Sequence, residues 1–267
     1  MTAPAKVWDY RNLIVNLVLR NLRARYKKSI LGWGWSLVNP AVTLGIYTVV
    51  FGLFLNGQAP SLGNGDKGVF ALWLFAALVS WSAFSGGITT VISSFIDSGH
   101  MLTRTYFPPE CPVIAGTLTV SLQSAIETAI LIVFMAVIGN LGWTTLLVIP
   151  IMVLLSLFSF GLGLLVSLSN VRFRDVNYLV GIVLQIMFYA TPIVYRLDQL
   201  PEDVHWMSTV LGFNPMTHFT AAMRDVTYLL TVPTALNWAM MVAAPTFAVL
   251  VGWWVFSTKA PRYIEEI

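Results

Sequence analysis

Five stretches of this chain carry no charged side chain at all: between Lys28 and Asp66, Lys67 and Asp97, Glu127 and Arg172, Asp175 and Arg196, and Asp225 and Lys259. A soluble helix of such length needs a polar face toward water. These runs have none, so the solvent they match is hydrocarbon. A bilayer core of about 30 Å takes roughly 20 helical residues. The runs supply six candidate spans, near 35–56, 68–95, 111–138, 143–168, 176–195 and 236–257. With 57% hydrophobic and 10% charged residues, there is too little polar surface to cover a water-soluble domain. An outer-membrane barrel would instead show segments of about ten residues with alternating polarity. The predicted class is an all-α membrane protein, residues 1–267 forming one transmembrane domain, with no connection long enough for a soluble one. The first apolar run lies far from the amino terminus and lacks a small-residue cleavage site after it, so no removable signal peptide is expected.

Charge asymmetry gives an orientation. With both termini in the cytoplasm, twelve of the fifteen Lys and Arg residues fall on the inside: Lys6, Arg11, Arg20, Arg23, Arg25, Lys27, Lys28, Arg104, Arg172, Arg174, Lys259 and Arg262. Lys67, Arg196 and Arg224 remain for the outside. That bias satisfies the positive-inside rule, and an even number of spans returns the chain to its starting side. The basic pI of about 9.1 therefore reads as membrane orientation rather than as a nucleic-acid surface.

Residues 8–31 precede the first span. At 100° per residue, Asp9, Asn12, Asn16, Arg20, Arg23 and Lys27 share one stripe, while Trp8, Leu13, Leu17, Val18, Leu22 and Tyr26 cover the rest. Such a helix lies in the interface, apolar side in lipid and basic side toward the cytosol. The cluster Arg20, Arg23, Arg25, Lys27 and Lys28 serves equally as an anchor to anionic headgroups or as a contact for a phosphate-bearing substrate or cytosolic partner. Gly32-Trp33-Gly34-Trp35 then turns the chain into the membrane, and Pro40 sits near the start of the span, where its missing N–H costs least.

Two polar returns share the cytoplasmic face. Residues 96–110 fit a short helix closed by Pro108-Pro109, and its Met101, Leu102 and Phe107 suit either a docking contact or burial against the protein's own spans. The second return, Ser169 to Asp175, carries Arg172 and Arg174. Within the spans, Gly161 and Gly163 allow close helix approach. Glu127 is the one charge inside an apolar run, more consistent with packing or pairing than with a proton relay. Residues 197–230, interrupted by Pro201 and Asn214-Pro215, fit two amphipathic helices near 201–211 and 216–230, too polar to cross and placed to dip into the outer interface. Aromatic residues at mid or outer depth, among them Tyr47, Phe51, Phe54, Phe188, Tyr189 and Tyr195, suit either a lipid-facing belt and core or the lining of a sugar-stacking channel.

Catalytic signatures are missing. The sequence has no GxxxxGK[ST] phosphate loop, no HExxH, no GxSxG and no CxxC, and its single cysteine, Cys111, excludes an internal disulfide and carries no metal pattern. ATP hydrolysis is thus not expected of this chain. A membrane-embedded transferase would need a catalytic carboxylate or histidine with a partner group at the interface, and none is evident.

The run Asn21 to Pro40, with Arg23-Ala24-Arg25-Tyr26-Lys27-Lys28 and Gly32-Trp33-Gly34-Trp35 inside it, resembles the amino-terminal signature of ABC-2 type permeases that export lipid-linked polysaccharides. Thr103-Arg104-Thr105-Tyr106-Phe107-Pro108, Phe173-Arg174-Asp175, Thr191-Pro192-Ile193-Val194-Tyr195 and Asn214-Pro215 extend the resemblance over essentially the whole chain. It implies an interface helix, six transmembrane helices, a cytoplasmic coupling helix around 98–105 and two outer re-entrant helices. It further implies a homodimeric channel in the cytoplasmic membrane, bound to two copies of an ATPase that carries ATP and Mg. The substrate would be a polymer on a polyprenyl diphosphate: O-antigen, teichoic acid or galactan. Arg104, Tyr106, Phe107 and Arg174 would then couple to the ATPase, and the Arg20–Lys28 cluster would meet the diphosphate. A drug or small-lipid exporter of the same six-helix plan is the rival, disfavoured by the basic in-plane helix and the many aromatics.

Overall fold

A computed structural model of the protein describes residues 4–25, 34–50, 59–99, 101, 107–173, 175–197 and 206–263. Among them the chain is helical, with no strand. Two helices open it, α1 (Pro4–Asp9) and α2 (Arg11–Arg25), separated by a turn at Tyr10. The first apolar run gives α3 (Trp35–Tyr47), and the next gives α4 (Phe70–Asp97). Then follow α5 (Glu110–Val137), a 3₁₀ turn (Trp143–Leu147) leading into α6 (Val148–Arg172), and α7 (Val176–Tyr189). Two short helices, α8 (Trp206–Gly212) and α9 (Pro215–Arg224), precede the long α10 (Ala235–Tyr263).

Four of the six apolar segments are helices long and apolar enough to cross a bilayer: α4, α5, α6 with its leading turn, and α10. α3 and α7 are apolar but shorter. The described helix of the first segment runs into a looser turn through Val50, and residues 51–58 lie outside the described residues. The fifth segment, expected to span 176–195, is helical only to Tyr189. Pro192 is the reason, since the residue before a proline is driven out of the α region and the ring removes a donor.

α4 and α6 form the centre of the bundle, because small residues let their neighbours approach. A methyl group at Gly87 would overlap the Ser159 side chain, and one at Gly163 would overlap Val91, so α4 and α6 lie in direct contact. On the other side of α6, a methyl at Gly161 would overlap the Ala248 backbone, and one at Gly252 would overlap Gly161 itself. The Gly161–Gly163 pair thus faces two helices at once. α3 packs on α4 and α5, and α7 packs on α4 and α6.

The core divides into two. One cluster, at the end that carries α2 (the proximal end), joins Val7, Ile14, Leu17 and Val18 to Val91, Phe95, Phe107, Leu164 and Phe256. Part of the apolar side of α2 therefore lies on the protein's own spans rather than in lipid, while Trp8, Val15 and Leu19 remain exposed. The larger cluster fills the distal end around α9, whose Met216, Phe219, Ala222 and Met223 are fully buried against α4, α6 and α10. α9 is accordingly enclosed by the bundle on most of its surface, where its sequence predicts an interfacial helix.

Candidate functional site

The distal end is built on the second half of the segment 197–230. Asn214 caps α9, its side-chain oxygen accepting from the Met216 N–H at 3.0 Å, with Pro215 in the first turn as helix starts prefer. Its amide group donates to the Ala190 carbonyl at 3.2 Å and to the Thr191 hydroxyl at 2.9 Å, so one side chain starts α9 and closes α7. Three further carbonyls at this end, of Trp73, Pro192 and Ile193, accept from the Arg224 guanidinium; the first two bonds are 3.1 Å and 2.7 Å. The guanidinium lies over the Trp73 ring, 3.4 Å from its centroid, as a cation on an aromatic face. Burial pushes the Arg224 pKa down to about 9, against the pull of the neighbouring Asp225 carboxylate, which leaves the group charged at neutral pH.

Past Arg224 the chain widens into a π turn (Asp225–Leu229) and leaves it through Leu230, which adopts the left-handed conformation at φ 55. The widened turn frees carbonyls, and side chains from elsewhere take them. Buried Asn140 donates to the Thr227 and Tyr228 carbonyls at 3.1 and 2.9 Å, and the Thr144 hydroxyl donates to Val226 at 3.1 Å. The Tyr228 hydroxyl donates to Pro60 at 2.9 Å and accepts from the Val69 N–H at 2.8 Å, which holds the 59–69 loop to the bundle. None of Arg224, Tyr228 or Asn140 stands out in the sequence as a site residue. Arg224 looks there like one of three leftover outer charges, because its partners come from segments far away along the chain.

At the proximal end, Arg20 and Arg23 are exposed on α2 and line a recess of about 570 Å³ together with Asn16, Leu19 and Ala24. Arg25 ends α2; Lys27 and Lys28 lie outside the described residues. Of the residues expected to touch an ATPase, Arg104, Tyr106 and Arg174 also lie outside them, as do residues 100 and 102–105 of the expected coupling segment. Phe107 is described, and it is buried in the proximal cluster rather than presented for docking. Pro108 and Pro109 set the start of α5, and Phe107 just before them drops into the core that α2 covers. The second return is tight: Asn170 accepts from the Asn177 N–H at 3.0 Å, leaving Arg172 and Phe173 exposed beside each other.

Between the two ends, the predicted channel aromatics divide. Phe188 packs edge-on against Trp81, 5.6 Å between centroids, and a chain of rings continues through Phe84 and Phe158 to Phe219. Tyr189 is exposed on α7, and Tyr195, partly buried, donates to its carbonyl at 3.0 Å. Tyr47 is partly buried on α3 beside the distal core, and Phe51 and Phe54 lie outside the described residues. Glu127 sits half-buried in the middle of α5. Among the described residues no cluster of His, Cys, Asp or Glu suits a metal ion.

The sequence profile of the ABC-2 type transporter family matches residues 12–228. The chain is similar to an O-antigen export system permease protein (RfbA) of Klebsiella pneumoniae, 30% identical over 219 residues and 80% of each chain. It is similar to the protein of that same name from Myxococcus xanthus, 25% identical over 263 residues and 98% of each chain. A polysialic acid transport protein (KpsM) of Escherichia coli is 23% identical over 214 residues, 78% of each. With most of its length matched, the chain belongs to the ABC-2 type transporter family.

Proposed function

We propose that this chain is the channel-forming permease subunit of an ABC transporter that exports a polyprenyl-diphosphate-linked polysaccharide of the O-antigen, galactan or teichoic acid type. The observation that carries the proposal is similarity to an O-antigen export permease over nearly the whole of both chains. Polymer export needs a wide path, and among the described residues one bundle with α4 and α6 packed at its centre leaves none, so two copies enclose it between them. The proximal end faces the cytoplasm, where most Lys and Arg lie, and both termini are on that side. Two copies of a separate ATPase, holding ATP and Mg, engage the returns that carry Arg104, Tyr106 and Arg174. Phe107 anchors the first return from within.

The diphosphate meets Arg20, Arg23, Arg25, Lys27 and Lys28. Arginine holds phosphate through paired N–H donors, and lysine adds a point charge. The recess beside Arg20 and Arg23 supports that placement. The test is purification of the chain from its native membrane, identification of any ATP-binding protein retained with it, and reconstitution and assay of ATPase activity with a lipid-linked polysaccharide. A stoichiometric ATP-binding partner and stimulation by the polymer, not by small amphiphiles, are expected. Stimulation by drugs or short lipids alone would overturn the substrate class, and purification without an ATPase would overturn the transporter assignment.

A further inference from the structure

A second recess at the proximal end, of about 170 Å³, lies between α2, the last turns of α4 and the first turns of α5. Its walls carry Arg20, Asn21, Thr90, Ser93, Ser94 and Asp97. Its volume is that of about six water molecules at their share of liquid, roughly 30 Å³ each. Both signs of charge face it. Three of the five N–H donors of the Arg20 guanidinium are directed to the Asn21 side chain, at 3.2 and 3.4 Å, and to the Met101 sulfur at 2.9 Å. The group is thereby fixed in place with donors left over.

Asp97 is the last residue of α4, where the helix dipole is already negative, and no basic residue stands in that last turn. The carboxylate therefore adds to the local negative potential instead of relieving it. Among the described residues it has no ion-pair partner, and it does not pair with Arg20 although the two share the recess.

We propose that this recess holds the phosphoethanolamine headgroup of a membrane phospholipid, phosphate on Arg20 and ammonium on Asp97. A cation and an anion held apart in one small polar recess complement a zwitterion. A diphosphate inside this recess would meet Asp97 and the α4 carboxyl end, so the carrier headgroup proposed above engages the basic cluster from the other recess, beside Asn16 and Arg23, and Arg20 stands between the two sites. The ammonium brings three N–H donors for Asp97 and the neighbouring hydroxyls; a choline headgroup brings none and is bulkier. The recess lies at a helix end beside the in-plane α2, at headgroup depth whichever leaflet that is. An acyl chain leaving it finds apolar surface. Leu122, half-exposed on α5, lies one turn deeper on the face that carries Thr119 of the recess wall. The bound lipid then wedges α2 against α4 and α5, so the in-plane helix rests on lipid as well as on protein.

The experiment is lipid retention by the full-length protein in detergent, read by native mass spectrometry. Palmitoyl-oleoyl phosphatidylethanolamine, phosphatidylcholine and phosphatidylglycerol are supplied in equal amounts. Wild-type protein is expected to keep phosphatidylethanolamine at least fivefold over each of the others. Asp97→Asn is expected to lose that preference, and Asp97→Lys to turn it toward phosphatidylglycerol. Equal or stronger retention of phosphatidylglycerol by the wild-type protein overturns the proposal. So does undiminished selectivity in Asp97→Asn. The wild-type competition decides the matter even if a variant fails to fold, and Asp97 is exposed, with no core contact to lose.

Discussion

An arginine left only 7% exposed at the edge of a membrane bundle is tolerable when its N–H groups are answered, and Arg224 is answered by three main-chain carbonyls and an indole face. The Pro192 and Ile193 carbonyls are free because they lie past the end of α7 at Tyr189, whereas the Trp73 carbonyl, in the first turn of α4, accepts within the helix and gives Arg224 its second lone pair. Removing the guanidinium leaves buried acceptors unsatisfied at about 1–3 kcal/mol each. Arg224→Ala is expected to lower the detergent melting temperature by at least ~6 °C, taking about 3 kcal/mol and 2 °C per kcal/mol as lower figures. Arg224→Lys should recover less than half of that, because an ammonium at the end of a flexible stem cannot fork to three fixed carbonyls and lie flat on Trp73. Full recovery by lysine, in a thermal scan of purified protein, would show that charge alone matters. Such a residue is illegible in sequence. Residue type and hydropathy place it outside the spans, but its role comes from segments brought together only by folding.

At the scale of the helix, far more was readable. Uncharged runs fix where hydrocarbon lies, so the predicted span near 68–95 is found as Phe70–Asp97 and that near 111–138 as Glu110–Val137. The glycines of the fourth span also signal close packing, though not that its two glycines serve different neighbours. What hydropathy does not show is where an apolar helix stops for stereochemical reasons, as at Tyr189, or that a helix of mixed polarity such as α9 is enclosed. There, Thr217, His218 and Thr220 find partners inside the bundle, His218 reaching both Asn237 and the Gly212 carbonyl at 2.8 Å. The α4–α6 contact gives a sharp prediction from adjacent positions. A methyl at Gly87 meets Ser159, whereas one at Gly86 comes only within 3.7 Å of Val120, an ordinary contact. Gly86→Ala should be neutral or stabilising by up to about 1 kcal/mol through helix propensity. Gly87→Ala should destabilise by about 1–3 kcal/mol through overpacking. Melting curves of the two variants check this, and equal effects would mean that the helices are not in contact there.

For the molecule as a whole, the uneven cover of its helices bears on assembly. Only Leu184 is buried on α7, and Ile182, Val183 and Ile186 are exposed. Exposed apolar residues alone are ordinary in a membrane, since lipid covers them. α7 differs because its 14 residues rise only about 21 Å, short of the bilayer core. The chain from Ala190 to Leu197 that follows is irregular, and irregular backbone at membrane depth persists only where protein or a water-filled cavity shields it. α9 shields one side through Asn214 and Arg224. On the dimer proposed above a second copy covers the other side, and we propose α7 as the face on which the two chains meet. Single cysteines at Ile182 or Ile186, in a Cys111→Ser background, should therefore form oxidised dimers in membranes. Cysteines at Val133 on α5 or Leu250 on α10, equally exposed but on helices long enough to face lipid, should not. Cross-linking confined to α5 or α10 would place the channel elsewhere and leave the end of α7 without an account.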